Sequence, residues 1–346
     1  MVGKKLKALG AMLLCGVMLV SFSGCADTTW TLEINEKKIP IGVYLTYLTG
    51  ACYDATSQVT DSTKDVFDQK IEDKDAAQWM IDTAITESRA YAWVDKVWTD
   101  KKYSLTLQEQ SNIDTQVDSA WSTYESIYSE NGVSKDSYKL VTQNSYMSSI
   151  IFKKMYMPGG EKAVSDADLS KYVKDTYYRV KPMIFLKTDS SGAALTGDAL
   201  TQAKETATSY YNKANKGEDM DKLIEAYNKE QGATDSTSTS TTYKNEQMRL
   251  KTNLSDANKE SVEKLGNGKV IMVEEDQAFL VMQKLDISAR NDYIKDDDVR
   301  ASYLSAMKGE EYTEYVKTEA GKLPLEQNNG AIKFYSPKKI KIQSAA

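Results

Sequence analysis

Apolar residues recur at three- and four-residue intervals along much of the chain, a rhythm that predicts helices. Val43, Tyr44, Tyr47, Leu48 and Ala51 mark one face of a helix over 42–51. Ala77, Met80, Ile81, Ala84, Ile85, Ser88 and Ala92 mark a longer one over 73–96, with Trp79, Trp93 and Trp98 adding bulk. Thr106 and Glu109 have the spacing of a capping box, in which hydroxyl and carboxylate satisfy each other's orphan N–H groups, so a helix is predicted from there to 129. Asn131-Gly132 stops it, and Ser134 opens the next, to 156. Pro158-Gly159-Gly160 breaks that helix, and a second box at Ser165 and Asp168 starts one to 177.

At Tyr178 the rhythm changes. Val180 to Lys187 suits a strand, with Pro182 placing it near a strand start or at an edge. An amphipathic helix is expected over 198–230, carrying Leu200, Ala203, Ala207, Leu223 and Ala226, with Gly217-Glu218-Asp219 as its point of interruption. Thr234 to Thr242 is nearly pure Ser/Thr and reads as a flexible loop. Ser255 begins a helix that ends at Gly266, and 270–273 with 278–282 flank an acidic hairpin turn. A last helix is expected over 296–322, ended by Pro324, followed by short strands at 331–335 and 339–342. Near the start, 30–34 and 38–41 form another hairpin around Asn35-Glu36-Lys37. The order describes an α+β protein: a discontinuous, mainly helical domain interrupted by an inserted α+β domain. The expected divisions are 1–24, 25–177, 178–290 and 291–346.

Composition narrows the chemistry. The 346 residues include no histidine, which removes Ser-His-Asp and Cys-His catalysis, His-ligated metals and an imidazole switch. Three cysteines support neither a disulfide framework nor a Cys₄ site. Residues 1–24 read as a secretory signal, with Lys4, Lys5 and Lys7 ahead of an apolar run from Leu9 to Val20. The run ends in Ser21-Phe22-Ser23-Gly24-Cys25, which resembles the bacterial lipobox, with Phe22 where Leu is usual. That makes Cys25 the expected lipidation site. Losing the signal takes three of the 44 Lys+Arg and none of the 50 Asp+Glu, leaving a net charge of −9. Such a chain is a poor nucleic-acid partner. Cys52 then stands alone in an apolar-aromatic segment and reads as a buried structural thiol.

Several segments together resemble the PrsA/SurA class of extracytoplasmic foldases. LEINEKKIPIGVYLTYL (32–48) is similar to the opening strand, turn and first helix of their chaperone domain, and KKYSLTLQEQ (101–110) to a loop and capping box between its helices. VSDADLSKYVKDTYYRVKPMIFLK (164–187) is similar to the start of a parvulin-type prolyl isomerase domain, and VEKLGNGKVIMVEEDQAFLVMQKLD (262–286) to its last helix and closing hairpin. Active parvulin domains place one histidine in the first strand and one in the last. Here Met183 and Leu280 stand at those positions, and Leu254 and Asn258 fall near the Met and Phe of the proline pocket. None of the four carries over as catalytic, and no cofactor is implied.

The resemblance implies a lipid-anchored foldase or holdase on the outer face of the membrane of a Gram-positive-type bacterium. It would bind unfolded or nascent secreted proteins without ATP, and a homodimer is compatible with it. Two alternatives stay open: an active peptidyl-prolyl isomerase, and a surface adhesin or glycan-binding module. Among 22 tyrosines, Tyr124, Tyr128, Tyr146 and Tyr156 are candidates for a client groove. The acidic groups Asp73/Asp75, Glu274-Glu275-Asp276 and Asp296-Asp297-Asp298 lack calcium-loop spacing, so they read as turns and helix starts, and no metal site is expected.

Overall fold

The computed structural model describes residues 27–232 and 243–342. The leader read at 1–24, Cys25 and the Ser/Thr tract 234–242 lie outside the described residues. The fold is mixed α+β and mainly helical.

Trp30–Ile34 (β1) and Lys37–Pro40 (β2) form the first hairpin, with Asn35 and Glu36 in the left-handed region at φ 51° and 64°. Two positive φ values in a two-residue turn match the twist of the strands they join. Ile41–Gln58 (α1) follows directly. A small hairpin of Lys70–Ile71 (β3) and Lys74–Asp75 (β4), invisible in the polar sequence there, leads into Ala76–Asp100 (α2). Next come Leu107–Glu130 (α3), Lys135–Tyr156 (α4) and Asp166–Thr176 (α5). The box at α3 is complete: Glu109 N–H donates to Thr106 Oγ1 at 3.2 Å, and Thr106 N–H donates to Glu109 Oε2 at 2.7 Å. At α5, Asp168 N–H donates to Ser165 Oγ at 3.1 Å.

Tyr177–Leu186 (β5) precedes Gly197–Asn215 (α6) and Met220–Glu230 (α7). The expected single helix is divided, because Gly217 turns the chain at φ 96° and Asp219 Oδ1 accepts Lys222 N–H to start α7. Gln247–Leu250 (β6), Asp256–Lys264 (α8), Val270–Glu274 (β7) and Ala278–Lys284 (β8) complete this region. Asp292–Lys295 (α9), Asp297–Gly321 (α10), Leu325–Gln327 (β9) and Asn329–Phe334 (α11) close the chain.

The two expected final strands are therefore corrected. Residues 331–335 lie largely in α11, and 337–339 form a 3-10 turn. Asn328 Oδ1 caps α11 by accepting Ala331 N–H at 3.1 Å, and Ala331 and Ile332 are buried. The final strand is instead β9, immediately after Pro324. A five-residue segment with one lysine among apolar residues cannot by itself separate a strand from a helical turn.

The chain forms two compact units, one from 1–148 with 315–346 and one from 149–314. In the first, β1 lies between β2 and β9, all antiparallel, so the late strand closes the early hairpin, with Leu32 opposite Gln327 and Ile34 opposite Leu325. The core gathers around α1, where Val43, Tyr44, Leu48, Ala51, Cys52 and Ala55 pack with Leu32, Ile34, Met80 and Ala84. Gly42 is required by close approach, since a Cβ there would sit 2.1 Å from Ser137 Oγ. Cys52 is fully buried, 3.6 Å from Met80 Sδ, and burial pushes its thiol up to about 12. The second unit is built on an antiparallel sheet of order β6-β5-β8-β7.

Candidate functional site

Side chains alternate across a strand, so the sheet of the second unit has two distinct faces. On one, Met183, Phe185, Phe279 and Val281 pack against Ala207, Tyr210, Ala214, Met220, Leu223 and Ile224 of α6 and α7. On the other, Tyr178, Val180, Leu280 and Met282 pack with Leu254 and with Val262 of α8. The pairing of β5 with β8 places Ile184 opposite Leu280 and Met183 opposite Val281. Directly opposed residues share a face. Leu280 and Leu254 are thus brought together, and Met183 is not with them. Ile184 is the β5 residue that shares the face of Leu280. A shift of one residue along a strand exchanges its faces, which is why a sequence alignment offset by one position changes the site.

Strand β6 pairs with β5 only from Tyr177 to Val180. Beyond that point no strand pairs with this side of β5 among the described residues, and Pro182 is tolerated there because its missing N–H breaks no described ladder. Lys187 N–H donates to Gln277 O and Leu285 N–H to Arg179 O, so odd-numbered residues of β5 bond to β8. Residues 182, 184 and 186 therefore turn their backbone groups to the free side. Tyr227 Oη donates to Ile184 O at 3.0 Å and occupies one of them. The Ile184 and Leu186 side chains are exposed, at 39% and 57%. With Pro182 they form an apolar run that continues the buried face of Val180 and Leu280 into solvent.

The polar groups near this face are largely engaged in holding structure. Asn258 Nδ2 donates to Glu274 O at 2.7 Å and to Glu275 Oε1 at 2.9 Å. Glu275 Oε1 accepts Ser255 N–H at 3.0 Å, at the start of α8. Arg249 of β6 lies opposite Tyr178, its Nε buried without a partner, and burial lowers its pKa against the opposing pull of Glu275. None of these forms an acid–base pair positioned for proton transfer. Two residues of the other acidic groups are likewise engaged. Glu274 pairs with Lys187 at 2.7 Å and Lys204 at 3.3 Å, and Asp296 Oδ1 accepts the N–H groups of Asp298 and Val299 at the start of α10. Among the described residues no group of three or more acidic or cysteine side chains is placed to hold a metal ion.

The four tyrosines divide between the units. Tyr124 is half-exposed on α3, whereas Tyr128 stacks against Trp121 at 6.4 Å and packs on the first core. Tyr146 of α4 is partly buried. Tyr156 is fully buried in the second unit, its hydroxyl donating to Glu311 Oε1 at 2.9 Å, so it is interior and no part of an open groove. Ile184, Leu186 and Arg249 were not legible as site residues. The first two read as ordinary strand core, and β6 is four residues of mixed polarity. The signal for the exposed run was Pro182 itself, which marks where a neighbouring strand stops.

No known protein family and no curated protein matches the sequence. Solved structures do. The chain is similar to the foldase protein PrsA of Lactococcus lactis at 13% identity, over 88% of this chain and 98% of that one, with a TM-score of 0.39. It is similar to PrsA of Bacillus subtilis at 19% identity, over 77% and 86%, with a TM-score of 0.31. PrsA of Streptococcus pneumoniae matches at 13% identity, over 76% and 90%, with a TM-score of 0.36.

Proposed function

We propose that this protein is an extracytoplasmic foldase of holdase type, tethered through lipid on Cys25, that binds unfolded secreted chains without ATP. The observation that carries the reading is the exposed run Pro182–Ile184–Leu186 on a sheet face that offers apolar area and no catalytic pair. Apolar surface of this kind attracts exposed segments of an unfolded chain without directional chemistry. The leader, the lipobox and the segments similar to extracytoplasmic foldases support the location and the client class. Among the described residues no helix is long and apolar enough to cross a membrane, so a membrane attachment would rest on the N-terminal segment.

Prolyl isomerisation requires only a shaped pocket and fixed hydrogen bonds that favour the twisted amide, whose barrier is about 18–20 kcal/mol. With Leu280 and Leu254 buried and no histidine in the chain, the face supplies shape, and Asn258 and Glu275 beside it are tied to each other and to the backbone. Binding is its proposed role and efficient isomerisation is not.

Thermal aggregation of a client protein with residues 26–346 present is the direct test. Suppression near equimolar ratio is expected, and its absence would sink the proposal. Ile184→Ser with Leu186→Ser should raise the ratio needed while leaving stability nearly unchanged, since both side chains are already exposed. A protease-coupled proline-peptide assay should show a rate close to the uncatalysed one.

A further inference from the structure

The five arginines of this chain are not used alike. Arg179 and Arg290 hold the carboxylates of Glu246 and Asp292, and Arg300 holds Asp166 and the Val164 carbonyl. Arg89 donates to the carbonyls of Ala320, Gly321 and Leu323. Arg249 is the exception. It is half-buried, its Nε has no partner, and its one contact is Nη2 with the Asn253 carbonyl at 3.5 Å, too long to contribute much. The carboxylate that acts on it, Glu275, makes no ion pair with it and is engaged by the Ser255 N–H and the Asn258 side chain. Withdrawing a guanidinium from water without a counter-ion is costly, and such a group ordinarily meets a carboxylate.

Its place in the sheet gives the unpaired charge a use. Arg249 lies directly opposite Tyr178, and opposed residues share a face. That face carries Val180, Leu254 and Leu280 and continues into the exposed run Pro182–Ile184–Leu186. The surroundings are cationic: Lys251 and Lys284 place their Nζ atoms 5.1 and 6.0 Å from the centre of the Tyr178 ring. Lys284 spends its protons on the carbonyls of Val262, Glu263 and Leu265 at the end of α8 and keeps its charge. Against these stands Glu263, exposed and beside the Tyr178 hydroxyl. A local excess of positive charge, in a chain of net charge −6, draws anions to this place. Along β5, Tyr178 and Ile184 are about 20 Å apart at about 3.3 Å per residue, a span one extended segment covers.

We infer that Arg249 is a carboxylate subsite of the client face. Its guanidinium takes the carboxylate of an aspartate, a glutamate or a chain end in the same extended segment whose apolar side chains lie on Ile184 and Leu186. This rests on the holdase reading of that face and adds which segments the face prefers. A guanidinium holds a carboxylate through two parallel N–H···O bonds, a fork that a lysine does not reproduce. The atoms for it are at hand: Nη2 has only the long contact with Asn253, and Nη1 has no partner among the described residues.

Calorimetric titration of residues 26–346 with short peptides, acetylated and amidated, tests this. Two of them share one apolar run, and one has an aspartate about six residues from its centre where the other has asparagine. The aspartate peptide should bind about tenfold more tightly, the scale of one charge-assisted pair. Arg249→Gln should bring the two affinities together and leave that of the asparagine peptide unchanged. Arg249→Lys should retain only part of the difference, since it keeps the charge and loses the fork. A third peptide, with asparagine and a free C-terminal carboxylate, separates the two sources: tighter binding that Arg249→Gln abolishes would show that a chain end is also recognised. Equal binding of all three would overturn the subsite, and so would a preference for aspartate that survives Arg249→Gln. If no peptide binds while client aggregation is still suppressed, the subsite fails alone. If aggregation is not suppressed either, the holdase reading fails with it.

Discussion

The two units differ in where their arginines lie. In the first, ion pairs lie on the surface: Lys37–Asp95, Lys135–Asp118 and Lys139–Asp114 all have both partners at least 40% exposed. Pairs of that kind contribute little, about 0–1 kcal/mol, so this unit is held by the apolar packing around α1. The second unit has surface pairs too, such as Lys171–Asp175 and Lys264–Glu260, but it also buries two arginines. Arg179 makes a two-pronged contact with Glu246 at 2.7 and 2.8 Å, with the side chains only 12% and 9% exposed. Arg300 is 2% exposed and donates to Asp166 Oδ1 at 2.6 Å and Val164 O at 2.8 Å. A two-sided sheet with short helices leaves its margins to be closed by long, directional side chains. All five tryptophans (30, 79, 93, 98 and 121) fall in the first unit, so their fluorescence reports on that unit alone.

That difference can be broken by mutation. Leu48→Ala removes a fully buried side chain from the α1 core and should cost about 3–4 kcal/mol, read as a fall in the fluorescence midpoint in urea. Arg300→Ala leaves the Val164 carbonyl without its donor and should cost about 2–3 kcal/mol, seen by circular dichroism with a smaller change in fluorescence. Coincident shifts in both probes for both variants would mean that the units unfold as one, and the contrast would fail. Gly42→Ala forces a methyl group into Ser137 and should cost about 1–2 kcal/mol; pairing it with Ser137→Gly should recover much of that.

The smallest effect concerns pH. Glu87 of α2 is raised above its ordinary value of 4.5, chiefly by burial, with Lys317 opposing and Asp54 assisting. A carboxyl raised on folding is held more tightly by its proton in the native state. It therefore destabilises as pH rises above about 4.5 and does so fully above its folded value. Glu87→Gln should raise the fluorescence midpoint at pH 7 and leave it unchanged at pH 4. Equal gains at both would place the benefit elsewhere than in titration.

Much of the helical region was legible because each helix declares itself by period, as α1 and α2 do, or by cap, as α3 and α5 do. The Thr106–Glu109 box alone located α3, and the structure extends it by only one residue. The short elements were not legible. Four residues of β6 and two each of β3 and β4 carry too little pattern to stand out, and their pairing partners are distant. The candidate site suffered from the same cause. The resemblance put Met183, Leu254, Asn258 and Leu280 at pocket positions, but Met183 and Ile184 differ by one position and only the pairing with β8 separates them.

By itself the sequence determined where α3, α4 and α5 start and stop, that imidazole chemistry is absent, and that the early hairpin precedes a buried helix. Those are local matters of period, capping and composition. Tertiary structure alone decided that β9 rather than a later segment completes the first sheet, and that β5 runs past the end of β6. It also decided that the apolar run at 182–186 is exposed and that β7 is the outer strand of its sheet among the described residues. Each depends on which strand lies beside which, and strand neighbours are set by contacts between residues far apart in the chain, which no local pattern records.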